Sequence, residues 1–228
     1  MNHVYVIIVA AGTGSRFGSN IPKQFMPLGI DGVPVLMHSI TKFLKAQIPV
    51  ENIRVALHRD MIGFWEELCV KFNFRSPQVI VGGSTRFYSV KNALSTLQCN
   101  GADTIMVHDG VRPLVTREVI MRVHETLLHE KAVIPVVPVT DSLREVEGSG
   151  FSHAVDRSKY VSVQTPQGFR AEILFRAYDQ PFRDVFTDDA SVVEALGEKV
   201  ALVEGSYKNI KITNRDDLDI AQMLLKKG

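Results

Sequence analysis

A chain of 228 residues with 45% hydrophobic and 22% charged side chains is long enough to build one sizeable core. Its formal net charge is +1, so no bulk field draws it to nucleic acid or to an anionic membrane, and any basic site must be local. The two cysteines, Cys69 and Cys99, stand without a C-x-x-C pattern or a histidine cluster at metal spacing, which reads as two free, mostly buried thiols.

The first stretch, Val4 to Ala10, is a β-branched apolar run that reads as a buried parallel strand, and it breaks into Ala11-Gly12-Thr13-Gly14. It lacks a basic n-region and is too short to span a membrane, and no later segment reaches about 18 apolar residues, so a cytoplasmic protein is expected. The glycines Gly12, Gly14 and Gly18 are one residue out of register with the dinucleotide fingerprint, and the lysine-hydroxyl ending of a P-loop is absent. The loop carries two cations, Arg16 and Lys23, with Pro22 and Gln24 beside the second.

Pro34 can open a helix whose apolar positions Val35, Leu36, Ile40, Phe43 and Leu44 recur until Pro49. Asn52 to Leu57 reads as a strand, Asp60 to Phe72 as a helix, and Pro77 to Val81 as a short strand ending at Gly82-Gly83. From Phe87, the positions Val90, Ala93, Leu94 and Leu97 predict a sheet-facing helix. Thr104 to His108 is the next strand, and Thr116 is the expected N-cap of a helix through His129. The two prolines of Val133 to Val139 demote part of that run to an edge or a sheet exit. The repeated strand–helix alternation predicts an α/β, doubly wound, mostly parallel sheet.

Residues 1–228 read as a single domain, with residues 139–160 as a β-hairpin standing off it. A lone hairpin buries too little to be stable, so a second copy of the chain is the economical packing partner. Val161 to Val163 returns to strand, Ala171 to Tyr178 and Asp188 to Leu196 are helices, and Val200 to Glu204 is a strand. Asn214 to Leu225 is a terminal helix with Thr213 and Asp216 placed as a capping box.

Ligands of such sheets bind beyond the carboxyl ends of the strands. Backbone amides from Gly12 onward can cradle a polyphosphate, and Arg16 and Lys23 supply charge where a phosphoryl transition state is negative. Gly82-Gly83 can approach a base edge, with Ser89 adding a hydrogen bond from the first helical turn. Asp109, directly at a strand end, is the candidate Mg²⁺ ligand against substrate phosphates. Lys211, in a short apolar segment that looks like a strand, needs an anionic partner, and a phosphate would serve.

Several motifs in order carry a resemblance: Ala10-Ala11-Gly12-x-Gly14-x-Arg16, Pro22-Lys23-Gln24, Gly82-Gly83-x-x-Arg86-x-x-Ser89 and His108-Asp109-x-x-Arg112-Pro113. They continue with Asp156-Arg157, Thr165-Pro166-Gln167, Thr187-Asp188-x-Ala190-Ser191 and Asn209-Ile210-Lys211-Ile212-Thr213. From Val6 almost to the end, the chain resembles the 2-C-methyl-D-erythritol 4-phosphate cytidylyltransferases. The resemblance implies a Rossmann-like nucleotidyltransferase sheet that moves CMP from CTP to a polyol phosphate, with Mg²⁺ or another divalent cation as cofactor. It implies that Arg16 and Lys23 stabilise the α-phosphate, with Ala10, Ala11, Gly12, Thr13 and Gly14 in the nucleotide loop. Gly83, Ser84 and Ser89 would meet the base, Ser84 standing where some members carry an acid. Asp109 would hold the metal, and Arg157 and Lys211 would position the incoming polyol phosphate, with Arg112, Thr165 and Thr187 in its pocket. The hairpin would be a homodimerisation arm that brings Arg157, Asp141 and Ser142 to the partner's site, Ser142 standing where some members carry threonine.

A phosphate oxygen is already a competent nucleophile at neutral pH, and no Ser-His-Asp constellation is present to demand another mechanism. Three other readings stay open at this stage. A ribitol 5-phosphate cytidylyltransferase would share the loop and the chemistry. A nicotinamide-dependent oxidoreductase would need the fingerprint spacing that is missing. A non-catalytic nucleotide-binding module would dispense with Arg16, Lys23, Asp109 and Lys211.

Overall fold

A computed structural model of the chain describes residues 3–12, 21–148 and 150–226. β1 (Val4–Ala10) buries Val6 and Ile8 on one face and Ile7 on the other, the period of two that a strand covered on both sides requires. A small antiparallel pair, β2 (Pro27–Leu28) and β3 (Val33–Pro34), leads into α1 (Val35–Lys45), with Pro34 at its N-cap. β4 (Ile53–Leu57), α2 (Ile62–Lys71), β5 (Gln78–Val81), α3 (Arg86–Leu94), β6 (Thr104–Asp109) and α4 (Arg117–Thr126) then alternate as predicted. Thr116 caps α4 by accepting from the Val119 N–H.

The second half holds β7 (Ala132–Pro138), the hairpin β8 (Arg144–Val146) and β9 (Ser152–Ala154), β10 (Val161–Val163), and β11 (Gln167–Arg170). It ends with α5 (Ala171–Asp179), α6 (Asp189–Glu194), β12 (Ala201–Glu204) and α7 (Arg215–Lys226). The main sheet runs β10-β7-β11-β6-β1-β4-β5, with β12 also paired to β7. β1 is parallel to both β4 and β6, so strand order reverses between β1 and β6, and the crevice beyond their carboxyl ends is the topological switch point. Val6, Leu36, Phe43, Trp65 and Ile120 fill the core beneath α1, α2 and α4, while Ile7, Val90, Val107, Leu174 and Val193 fill the one beneath α3, α5 and α6.

Of the two alternatives for the proline-bearing run the sheet exit holds, since Pro138 ends β7, while two other expectations need correction. Before that exit β7 is interior, with β10 and β11 flanking it on one side and β12 on the other. Its prolines are tolerated because Pro135 falls between the stretch paired with β11 and the stretch paired with β10, and Pro138 ends the strand. Lys211 is not on a strand; its segment is irregular and anchored by the Ile212 N–H donating to the Val111 carbonyl at 2.9 Å. The box at the start of α7 is formed by Asn214 and Asp217, because Asp217 accepts from the Thr213 and Asn214 N–H groups while Asn214 Oδ1 accepts from the Asp217 N–H.

The hairpin forms its own two-stranded sheet and leaves Val146 78% and Phe151 72% exposed, apolar surface that a ribbon this small cannot cover alone. Among the described residues no helix is long and apolar enough to cross a membrane.

Candidate active site

The exit of β1 is built from small residues because two neighbouring turns press on it. A Cβ at Gly82 would lie 2.4 Å from Ala11 Cβ, and one at Gly110 would lie 2.9 Å from both Ala10 Cβ and Leu36 Cδ1. Side chains at 82 and 110 are therefore excluded, and the backbones after β1, β5 and β6 converge. Buried Gln24 holds the exit from below, its Nε2 donating to the Ala10 carbonyl at 2.8 Å and the Gly12 carbonyl at 2.9 Å. This turn leaves Lys23 half-buried and places its charge near Asp217 at the start of α7. Thr13, Gly14 and Arg16 lie outside the described residues.

At the end of β6, Asp109 gathers cations from separate elements. Its Oδ2 lies 3.2 Å from Arg112 Nε and 3.1 Å from Lys211 Nζ, and its Oδ1 lies 3.7 Å from Arg86 Nε. Burial opposes its ionisation, yet Arg86, Lys211 and Arg112 hold the carboxyl well below the usual carboxylate range. Arg112 is braced by donating to the Asn209 carbonyl at 2.8 Å. The Lys211 side chain is 43% exposed, so its head can exchange Asp109 for a ligand phosphate without unpacking the core.

His108 supports this carboxylate from within the core. The Arg112 carbonyl, 3.1 Å from its Nε2, can only accept, so Nε2 carries the proton. Nδ1 is then an acceptor for the Thr165 hydroxyl at 3.0 Å, and that hydroxyl oxygen accepts in turn from the Asp109 N–H at 3.0 Å. Thr165 is thus 5% exposed and acts on Asp109 through its backbone. Burial pushes the His108 imidazole down to about 4. Because an unfolded histidine titrates near 6.5, its neutral form contributes stability fully above about pH 6.5, and that contribution is lost as pH falls toward the folded value. Urea unfolding is expected to lose about 3 kcal/mol between roughly pH 6.5 and 4 with uptake of one proton, and His108→Asn to flatten the profile. A wild-type profile as flat as the variant's would contradict the neutral assignment.

The turn after β5 reads differently from its motif. Gly83 cannot carry a side chain, since its Cβ would meet Tyr88 Cβ at 2.3 Å, and its N–H donates to Ser89 Oγ at 3.1 Å. The Ser89 hydroxyl donates to the Thr85 carbonyl at 2.9 Å, so this 1% exposed residue shapes the turn, while Ser84 is exposed on it. Arg86, the next residue to matter, escapes a strand-end search: it donates from Nη2 to Asp189 Oδ2 at 2.6 Å, 103 positions away. Its only sequence signal is its place in the Gly82-Gly83-x-x-Arg86 motif.

The remaining expected residues are exposed. Arg157 is exposed at the foot of the hairpin and donates to the Thr140 carbonyl. Asp141, Ser142 and Thr187 are exposed, and among the described residues no hydrogen bond or ion pair ties any of them to Asp109.

Known proteins resemble this chain in sequence and in fold. The family model for 2-C-methyl-D-erythritol 4-phosphate cytidylyltransferase matches residues 4–227. The protein of that name from Bacteroides thetaiotaomicron is 50% identical over 221 residues, 96% of this chain and 98% of the relative. The Francisella tularensis enzyme of the same name has a crystal structure with TM-score 0.80 at 32% identity, covering 97% of this chain and 99% of that one. For the Thermus thermophilus structure the TM-score is 0.76 at 32% identity, over 98% of this chain and 99% of that one. Matched along nearly its whole length, the chain belongs to the 2-C-methyl-D-erythritol 4-phosphate cytidylyltransferase family.

Proposed function

We propose that the cluster around Asp109 performs the family's reaction by positioning and charge, without a general base. The chain transfers CMP from CTP to 2-C-methyl-D-erythritol 4-phosphate, giving 4-diphosphocytidyl-2-C-methyl-D-erythritol and pyrophosphate in isoprenoid biosynthesis. An oxygen of the acceptor phosphate forms a bond to the α-phosphorus of CTP, and the bond from that phosphorus to the oxygen bridging to the β-phosphate breaks. Two anions must meet, so cations decide the rate. The observation that carries this reading is Asp109 at the switch-point crevice, held ionised among Arg86, Arg112 and Lys211.

Each residue then has a task. Ala10, Ala11, Gly12, Thr13 and Gly14 present backbone to the triphosphate, and Arg16 and Lys23 bear on the α-phosphate. Gly83 and Ser84 face the base, with Ser89 holding Gly83 in place. Lys211 leaves Asp109 for the acceptor phosphate, with Arg112 and Thr165 fixing the carboxylate behind it. Asp109 fits Mg²⁺ or another divalent cation. Among the described residues its Oδ1 accepts no hydrogen bond, and a single carboxylate beside substrate phosphate oxygens and water is an ordinary shell for Mg²⁺. Bound there, the cation supplies neutralising charge to the phosphates.

The enzyme works in the cytoplasm as a homodimer, on small molecules and with neither nucleic acid nor membrane as partner. The exposed apolar tip of the hairpin, Val146 and Phe151, supports packing on a second copy, and the exposure of Arg157, Asp141 and Ser142 at the hairpin's foot supports their acting on the partner's acceptor together with its Thr187 pocket. Mixing an Arg157→Ala chain with a Lys23→Ala chain is expected to restore part of the activity that each homodimer lacks. No complementation in verified heterodimers would contradict action across the dimer.

A further inference from the structure

Asp189 is a buried carboxylate that its own helix does not need. α6 is already capped by Asp188, whose Oδ1 accepts from the Ser191 N–H at 2.9 Å and whose Oδ2 accepts from Gln167 Nε2 at 2.7 Å. Asp189, 0% exposed, turns instead toward α3 and α5: its Oδ2 accepts from Arg86 Nη2 at 2.6 Å and its Oδ1 from the Tyr178 hydroxyl at 2.6 Å. Stability alone is a weak reason for such a pair, because desolvating both charges offsets their attraction and apolar replacements of the same shape often do as well.

The other edge of the guanidinium gives a stronger reason. Arg86 Nε stops 3.7 Å from Asp109 Oδ1, beyond hydrogen-bond distance, whereas Oδ2 of the same carboxylate lies 3.2 Å from Arg112 and 3.1 Å from Lys211. One cation stands between two acids, and Asp189 holds it closer. We infer that Asp189 is a positioning residue: with Tyr178 it tethers Arg86 short of Asp109, so that Oδ1 of Asp109 stays open to the divalent cation. The inference rests on the reading of Asp109 as the metal ligand. Without a charge at 189, Asp109 becomes the strongest anion within reach of Arg86, and a hydrogen bond from the guanidinium then occupies the oxygen that the cation needs.

The test is calorimetric titration of CTP into the full-length protein with Mg²⁺ and again with EDTA, without acceptor, so that no turnover occurs. The ratio of the two affinities measures what the cation adds. Asp189→Asn is expected to reduce that ratio at least tenfold. The double variant Asp189→Asn/Arg86→Gln, which removes both charges and so spares the fold a lone buried cation, is expected to regain most of it. A ratio unchanged in Asp189→Asn, or a double variant no better than the single, overturns the inference. Asp109→Asn serves as the control: if it keeps the wild-type ratio, the metal-ligand reading fails and the inference falls with it, a result distinct from failure at Asp189 alone.

Discussion

Replacing Asp109 with asparagine is expected to lower kcat/KM by about a thousandfold, the upper end of what removing one preorganised electrostatic group costs. The shape of the side chain is kept, but Arg86, Arg112 and Lys211 lose the charge that gathers them. Stability falls as well, by about 3 kcal/mol, because cations that remain in a buried site without their partner are poorly compensated. The comparison must therefore be made well below the unfolding temperature of the variant, with steady-state kinetics and a urea curve on the same preparation. Loss of stability with kcat/KM within tenfold of wild type would reduce Asp109 to a structural counter-ion.

The acid side of the pH profile separates this carboxylate from its neighbour. The Asp109 carboxyl is depressed in the folded protein, so its contribution is present above the ordinary carboxylate value of about 3.9 and is lost only as pH falls through the depressed one. His108 acts earlier, in the window above about 4. Acid loss of stability thus begins with the histidine and ends with the aspartate.

The second large effect belongs to Lys23. Lys23→Ala is expected to reduce kcat about a hundredfold, roughly 3 kcal/mol, while raising the KM for CTP only a few-fold, because negative charge on the α-phosphate oxygens is greatest in the transition state. Gln24, clamped on the Ala10 and Gly12 carbonyls, keeps the turn in place in the variant, so the loss measures the charge and not a collapsed loop. Equal changes in kcat and KM would assign Lys23 to ground-state binding of the triphosphate.

Much of this architecture is legible in the sequence, where local pattern and tertiary role agree. β1, α3 and β6 announce themselves by periodicity, and the small residues after β1 and β5 mark where backbones converge. β11 does not announce itself. It has four residues including Gly168, and its antiparallel insertion between β6 and β7 depends on α4 packing so closely that a Cβ there would sit 2.5 Å from Val123 Cγ1. β7 is half legible, since its prolines leave edge and sheet exit both open until β10 and β11 are seen to divide its length between them and Pro138 to end it.

The site divides along the same line. Asp109 and Lys211 are readable because a charged residue at a strand end, or costly in an apolar segment, calls for a partner, whereas Arg112 is marked only by the His108-Asp109-x-x-Arg112-Pro113 motif of the resemblance. Arg86 and Asp189 are not, because their pairing spans 103 positions and each has a local alibi, a first helical turn for one and a capping aspartate next door for the other. The surplus acid in Asp188-Asp189 is the one trace of it in the sequence.

The most direct measurement of the central claim is a competition between acceptors. The purified protein, with CTP and Mg²⁺, is given 2-C-methyl-D-erythritol 4-phosphate and ribitol 5-phosphate, pyrophosphate release is followed, and the products are weighed by mass spectrometry. Formation of 4-diphosphocytidyl-2-C-methyl-D-erythritol with a kcat/KM far above that for ribitol 5-phosphate is the predicted result. A preference for ribitol 5-phosphate, or no pyrophosphate release with either acceptor, would contradict it.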